Sequence, residues 1–356
     1  MKKSLIALAA LAATGAFAQS TVTISGLVDT GYQLVNTAGV KTQGVAANGT
    51  GTTVLTVAGS EDLGGGLKAN FQLQITPDFI NGAGVEGSSN TADFKKSVGT
   101  GQQAYVGLAG GFGEVQAGRV NSNVLDAWGN GSVFGTAIGS GYSSNGNIYT
   151  RYSASATATA QSAPTRFNGA IRYISPSFNG FSGSLLVVPK GADTGVQTVT
   201  DFGLKYNNGP LNVMFASQEI KQSGAVTAPG GFLSGTNVLT DGATNKVNAL
   251  SANYAIGAAT VYGAYWTEKQ TATTAVDAQG YMLGAKYVMG ATTLLASYGN
   301  NDDKTAANKD GKIAGIGADY ALSKRTNLYV RYDDRTNATA TNDSVKRTAF
   351  GVKHTF

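Results

Sequence analysis

Residues Leu67–Ile75 read LKANFQLQI, and this stretch alternates apolar and polar residues with a period of two. The odd-numbered positions carry Leu, Ala, Phe, Leu and Ile, whereas the even-numbered positions carry Lys, Asn, Gln and Gln. Because successive side chains of a β-strand point to opposite faces, the pattern predicts a strand with one apolar and one polar face. The stretch Leu328–Asp333, LYVRYD, alternates in the same way.

Such segments recur along the chain, and tight and long connections alternate between them. Gly, Asn, Pro and Ser in the tight connections supply the backbone angles that hairpins require. Counting the segments predicts sixteen strands of about ten residues, the length that crosses a bilayer at a steep tilt. The tight connections are Asp62–Gly66, Gly110–Gly113, Ser175–Gly180, Asn207–Pro210, Ile256–Ala258, Met289–Ala291 and Ser323–Thr326. The longer polar stretches are 36–50, 77–99, 121–163, 191–196, 222–245, 270–277, 302–311 and 337–344.

The composition leaves a soluble all-β protein, a disordered chain or a membrane barrel as the possible classes. Glycine occurs 49 times, cysteine is absent, and the mean hydropathy is −0.07. No stretch after the N-terminus has eighteen continuous apolar residues, which argues against membrane-spanning helices. The formal charge of +5 is spread along the chain, so nucleic acid is not an expected partner. The regular strand pattern argues against disorder, and the paired tight and long connections favour the barrel.

Residues 1–18 are expected to form a signal peptide. Lys2 and Lys3 precede an apolar run over Leu5–Ala13, and the small residues Ala16 and Ala18 form a small-x-small site that predicts cleavage before Gln19. The apolar run is too short to span a bilayer, so cleavage is favoured over anchoring. No linker divides the remaining chain, and residues 19–356 are therefore predicted to form one β-barrel domain.

The C-terminal strand ends on an aromatic residue. Phe350, Val352, His354 and Phe356 share one face of the predicted strand. A terminal aromatic residue above an apolar face resembles the strand that the barrel-assembly machinery recognises, and Phe350 and Phe356 are the expected signal.

Seven stretches resemble Gram-negative general porins of the betaproteobacterial type. The resemblance implies an all-β fold: a 16-stranded antiparallel transmembrane β-barrel whose long third loop, 121–163, folds into the lumen. It also implies a homotrimer in the outer membrane, contacts with lipopolysaccharide, and passive diffusion of small hydrophilic solutes and ions without a cofactor. The stretches are Thr21–Asp29, Gly59–Leu67, Gln103–Leu108, Gly113–Arg119, Ile171–Pro176, Phe178–Phe181 and Phe350–Phe356.

Such porins resemble one another in placing basic residues on the wall opposite acidic residues on the third loop. Here Val54–Ala58 lacks the usual basic residue, and Gln102 stands where arginine is common. The resemblance retains Arg166 as a wall cation. The thinned basic wall predicts a weakly ion-selective pore.

Further pore-lining candidates follow from strand parity and from the third loop. Parity assigns Asn168 and Arg172 to the lumen with Arg166, and Lys68 to a wetted part of the wall. Asp126 is the one acidic residue of 121–163 and is expected to form the acidic side of the constriction.

Arg119 shares the outward face of Val115 and Ala117, so it is either a trimer contact, with Glu86 of a neighbour as partner, or a solvated strand end. With one histidine and no cysteine, His-based triads and multi-His metal sites are excluded, and no enzyme activity is expected. Two other functions stay open: a structural or adhesive barrel with a closed lumen, and a substrate-specific channel.

Overall fold

The computed structural model describes residues 20–77, 80, 102–142, 165–191, 196–222, 243–271, 276–306, 310–336 and 344–356. The predicted signal peptide, Glu86, and the second half of the predicted third loop lie outside the described residues. No helix in the described part of the chain is long and apolar enough to cross a membrane.

The described residues form seventeen antiparallel strands and one helix, α1. The bounds are β1 Thr21–Thr37, β2 Val40–Ala47, β3 Val54–Gly64, β4 Leu67–Ile75, β5 Ala104–Gly110, β6 Gly113–Asn121, α1 Asn123–Gly131, β7 Arg166–Ile174, β8 Phe181–Val188, β9 Val196–Asn208, β10 Leu211–Gln222, β11 Thr244–Ile256, β12 Ala259–Thr271, β13 Val276–Met289, β14 Thr292–Asp303, β15 Gly311–Ala321, β16 Thr326–Thr336 and β17 Ser344–Thr355.

The strands close into a barrel with sixteen positions, which confirms the predicted fold. From β3 onward each strand pairs with the next, and β17 pairs with β1 from Thr37↔Val345 to Leu27↔Thr355. Seventeen strands fill sixteen positions because β2 and β3 share one: β2 pairs with Thr30–Thr37 of β1, and β3 pairs with Thr21–Leu27 of the same strand. The predicted loop 36–50 is therefore wrong over most of its length: it contains the end of β1 and all of β2, which are joined by a turn at Ala38 and Gly39, where both residues have positive φ.

Side chains alternate between a lipid-facing surface and the lumen, as the sequence pattern predicts. On β16, Leu328, Val330 and Tyr332 are 41%, 48% and 37% exposed, whereas Tyr329, Arg331 and Asp333 are nearly buried. The exposed, largely apolar residues can face the lipid of a bilayer, whereas the set that contains Arg331 and Asp333 faces the lumen.

All seven predicted tight connections join consecutive strands. Gly257 and Gly290 take φ values of +58° and +57° at two of these turns. Such angles cost glycine little because it has no Cβ, and they let the chain reverse within two residues.

The chain between β6 and β7 enters the barrel, in agreement with the prediction for the third loop. We call its described part, Ser122–Tyr142, the inner loop. Its helix α1 packs against β9–β13, where Trp128 is buried in a cluster with Trp266, Met214 and Met282. Gly131 lies flush with this wall, since a Cβ there would meet Ala264 and the Gly263 carbonyl at 2.6 and 2.8 Å.

Candidate functional site

The first turn of α1 is held against the wall by Arg172 of β7. The Arg172 Nη2 atom donates to Asp126 Oδ2 and to Asn123 Oδ1, both at 2.8 Å. Its Nε donates to Ser184 Oγ at 2.9 Å, and its Nη1 to the Asn121 carbonyl at 3.2 Å. Five donors in a fixed fork suit arginine to such a junction, since one side chain can join two strands and a helix.

Asp201 of β9 supports the same end of the inner loop from the neighbouring wall. Its Oδ2 accepts from the Asn123 backbone N–H at 2.7 Å, and its carbonyl accepts from Asn123 Nδ2 at 2.9 Å. The Ser122 hydroxyl caps the helix by accepting from the Leu125 N–H at 3.0 Å. A carboxylate and a hydroxyl thus satisfy N–H groups that a helix leaves unpaired at its start.

The opposite end of the inner loop is fixed to β14 and β16. Asp333 Oδ2 accepts from the Gly139 N–H at 3.1 Å, and the Ser297 hydroxyl donates to the Gly139 carbonyl at 2.7 Å. Asp333 is itself held by Arg347, whose Nε donates to Oδ1 at 2.9 Å. The inner loop is therefore anchored to opposite parts of the barrel and narrows the lumen between them.

A second segment, Asn48–Thr53 between β2 and β3, also turns inward, and we call it the seam segment. The Asp29 carboxylate accepts from the Thr50 N–H, the Thr50 hydroxyl and the Gly51 N–H, at 2.5, 2.7 and 2.9 Å. The Gly49 carbonyl accepts from the Ile138 N–H at 3.4 Å, which links the seam segment to the inner loop.

A cavity of about 1020 Å³ lies beside the inner loop. Most of its lining residues are polar, with hydroxyl and amide side chains from the wall and from α1. Burial raises the pKa of Tyr142, so its hydroxyl stays protonated at neutral pH. The charged lining residues are Arg166, Arg172, Lys205 and Asp126.

The structure brings together four predicted lumen residues, Arg166, Arg172, Gln102 and Asp126, at this cavity. It does not separate Arg172 from Asp126, because the two form an ion pair at 2.8 Å. The expected charge separation between wall and loop is therefore wrong for this pair. Sequence parity could not show this, since it gives the face of a strand residue and not the path of the loop. Lys68 is exposed at the turn-proximal end of β4, outside the cavity.

Asn168 does not share the face of Arg172. Its Oδ1 accepts from Arg119 Nη1 at 2.6 Å, and Arg119 follows Ala117 on the outer face of β6. The parity argument fails because the β6–β7 register shifts between Gly118 and Val120, and Gly169 takes a φ of +57°. The same bulge places Phe167 in a buried cluster with Val120 and Leu186.

Arg119, the predicted interface residue, and Phe350 and Phe356, the predicted assembly signal, all lie within the described part of the chain. Arg119 Nε donates to the Gln102 carbonyl at 3.1 Å, so this guanidinium makes contacts within its own chain. Phe350 and Phe356 are 52% and 44% exposed on the outer face. The Phe356 backbone exchanges two hydrogen bonds of 3.1 Å with Gly26, which joins the last residue to β1.

Sequence reasoning missed the charges that β16 and β17 add to the lumen. Arg331 binds Asp319 at 2.7 Å, and its guanidinium carbon lies 5.5 Å from the Phe134 ring centroid of the inner loop. The alternation over Leu328–Asp333 already places Arg331 and Asp333 on one face. That face could have been recognised as the lumen wall by the rule that identified Arg172.

The model of the Gram-negative porin family matches residues 4–340. The chain belongs to this family. The barrel is accordingly an outer-membrane barrel, and the family consists of channels.

Individual relatives agree with this assignment. The chain is 34% identical over 265 residues to outer membrane porin protein 32 of Delftia acidovorans, covering 68% of this chain and 66% of that protein. The chain thus spans just under two thirds of that relative. An anion-selective porin from Comamonas acidovorans superposes with a TM-score of 0.76 at 25% identity, covering 95% of this chain and all of the other. The trimer form of OmpT from Vibrio cholerae has a TM-score of 0.68 at 14% identity, covering 95% and 99%, and supports the fold alone.

Proposed function

We propose that this porin conducts small hydrophilic solutes and ions by passive diffusion through a water-filled lumen. The observation that carries the proposal is the polar cavity of about 1020 Å³ between the inner loop and the wall of a closed ring. Sixteen strands enclose a space too wide for wall side chains to fill, so water occupies the remainder. Diffusion through such a pore requires neither an energy source nor catalytic groups.

A weak preference for anions is part of the proposal. The cavity is lined by three cations and one carboxylate, and the carboxylate is paired with Arg172. A paired charge contributes little field at a distance, so the remaining positive charge is modest. The anion-selective Comamonas relative agrees with this sign of selectivity.

The assembled state is proposed to be a homotrimer in contact with outer-membrane lipid and lipopolysaccharide. The trimer form of the Vibrio cholerae neighbour supports the stoichiometry by analogy of fold. Arg119 and Glu86 are the proposed interface residues, and Phe350 and Phe356 the proposed signal for the barrel-assembly machinery.

Conductance in planar bilayers tests the proposed function. Purified protein should produce stepwise current increases that scale with the conductivity of the bath. Folding is checked independently by heat-dependent migration in SDS gels. Folded protein that produces no current steps would contradict a channel and would favour a structural or adhesive barrel.

A further inference from the structure

Four lysines near the short turns point into the lumen. They are Lys68 on β4, Lys205 on β9, Lys286 on β13 and Lys353 on β17. The strand register places Lys68 directly opposite Asp62, and Lys353 directly opposite Asp29. In contrast, Lys205 and Lys286 have no carboxylate at their paired positions. These two lysines are therefore the less compensated charges of this set.

Lys205 faces the cavity below the inner loop. It lies on the face of β9 that carries Asp201 and Gly203, both in contact with Asn123 of α1. The alternating residues Phe202 and Leu204 are exposed to the lipid side. Lys205 pairs with Ser182 on β8 and with Met214 on β10, and it lines the cavity as an exposed side chain.

Lys286 occupies a comparable place four strands further around the ring. It pairs with Thr260 on β12 and with Leu295 on β14, and Leu295 is nearly buried on the lumen face. Its Nζ lies 6.0 Å from the centroid of the Tyr262 ring. An aromatic face attracts the ammonium group but leaves its charge uncancelled.

Three of the lumen arginines, in contrast, contact carboxylates, whereas Arg166 lines the cavity without an ion pair among the described residues. Arg172 pairs with Asp126, Arg331 with Asp319, and Arg347 with Asp333. The first and third pairs also hold the inner loop, and Arg331 of the second pair lies next to its Phe134 ring. Within the described residues, none of the four lysines forms an ion pair, but Lys205 and Lys286 also have no carboxylate at their paired strand positions.

We propose that Lys205 and Lys286 add to Arg166 the charges that set the anion preference of this channel, and that they act on the side of the inner loop that faces the short turns. Each presents an unpaired ammonium group to the water of the lumen. The low-dielectric wall concentrates the field of both charges, which raises the local concentration of chloride and of small carboxylates or phosphates. The proposal rests on the proposed diffusion function and assigns its selectivity to these two residues together with Arg166.

The test measures reversal potentials in a KCl gradient for trimers carrying Lys205→Gln, Lys286→Gln or both changes. A unit charge about 7 Å from an ion in water changes its local concentration about threefold. The same charge changes the local potassium concentration by the inverse factor, so we expect the chloride-to-potassium permeability ratio to fall by up to about sevenfold for each change. The matched control is Lys246→Gln, which removes the same charge from an exposed position on the outer face of β11 and should leave the ratio unchanged.

Salt dependence supplies a second measurement on the same proteins. The screening length falls from about 10 Å at 0.1 M to about 3 Å at 1 M, so the difference from the parent channel should shrink with salt. A permeability ratio that the double variant leaves intact, or a difference that persists at high salt, would overturn the proposal. Absence of current steps in the parent protein would instead contradict the proposed function. Variants that fail to fold are replaced by Lys205→Met and Lys286→Met, which keep an unbranched side chain of similar length.

Discussion

Tyr329 on β16 donates a hydrogen bond of 2.7 Å to Asp29 on β1, joining residues that are 300 positions apart. The tyrosine crosses the whole width of β17 to reach the carboxylate. Its path is open because glycines lie beneath it: a Cβ at Gly49, Gly31 or Gly351 would come within 2.3, 2.7 or 2.5 Å of the hydroxyl. The same Asp29 carboxylate binds the seam segment. The bond from Tyr329 therefore supports both the β1–β17 closure of the barrel and the inward-turned seam segment.

Replacing Tyr329 with phenylalanine should weaken the closed barrel. The change leaves the buried Asp29 carboxylate with one donor fewer, a loss of about 1–3 kcal/mol. The temperature at which the folded band converts to the unfolded band in SDS gels should fall. Tyr320→Phe, on the exposed outer face of β15, is the control. Equal conversion temperatures for both variants would show that the bond contributes nothing.

Replacing Gly351 with alanine should destabilise the same region by overpacking. The new methyl group would meet the Thr30 carbonyl at 2.4 Å as well as the Tyr329 hydroxyl. Overpacking of this kind typically costs about 1–3 kcal/mol. Gly44→Ala on β2 is the matched control, since nothing lies within 4 Å of its Cβ position. The prediction fails if the two alanine variants unfold at the same temperature.

Arg172→Gln should loosen the inner loop. The substitution removes the ion pair with Asp126 and the bond to Asn123, which hold the first turn of α1 against the wall. Single-channel recordings should show larger current fluctuations in the open state. Lys269→Gln, which breaks an exposed ion pair with Asp277, serves as the control. Open-state current fluctuations of the same amplitude as in the parent would mean that Asp201 and Asp333 suffice to hold the inner loop.

Gln102→Arg should raise the anion preference. Gln102 lines the cavity, and an added cation there increases the attraction of the lumen for anions. Reversal potentials should shift in the direction opposite to those of Gln102→Glu. A lack of opposite shifts would exclude Gln102 from the conducting path.

Phe356→Ala should reduce insertion into the outer membrane far more than it alters the conductance of inserted trimers. The Phe356 ring fills the space that a Cβ at Gly26 would occupy, and its backbone pairs with the same glycine. The amount of folded protein in outer-membrane fractions measures the effect. Phe178→Ala, at a 76% exposed turn residue, is the control and should insert normally. An unaltered yield for Phe356→Ala would remove the assembly role.

The sequence predicted most of the fold because a regular barrel repeats one local rule. Period-two alternation and the tight turns are local properties, and they were sufficient for the sixteen ring positions. The sequence did not predict the interruption between β2 and β3 at the seam segment, because this segment is stabilised by Asp29, which is distant in the sequence. Parity failed at Asn168 for a related reason: one extra residue in a bulge exchanges the two faces, and a single sequence carries little sign of it.

The sequence predicted which residues reach the candidate site but not which of them contact one another. Arg172 and Asp126 both reach the lumen, but the helix of the inner loop brings them into contact instead of setting them apart. Lys205 and Lys286 follow the alternation of β9 and β13, so parity alone could have placed them inside. What it could not supply was their lack of carboxylate neighbours, which depends on the register between strands.

The anchors of the inner loop also dictate an order of events during folding. Asn123 is bound by Asp201, 78 positions later, and Gly139 by Asp333, 194 positions later. Contacts over such separations form late, because the intervening chain must first lose its conformational freedom. The narrow passage is therefore complete only after β16 has joined the sheet. A sheet that still lacks β16 would leave the far end of the inner loop without its Asp333 anchor, so the width of the passage is set by the strands that are made last.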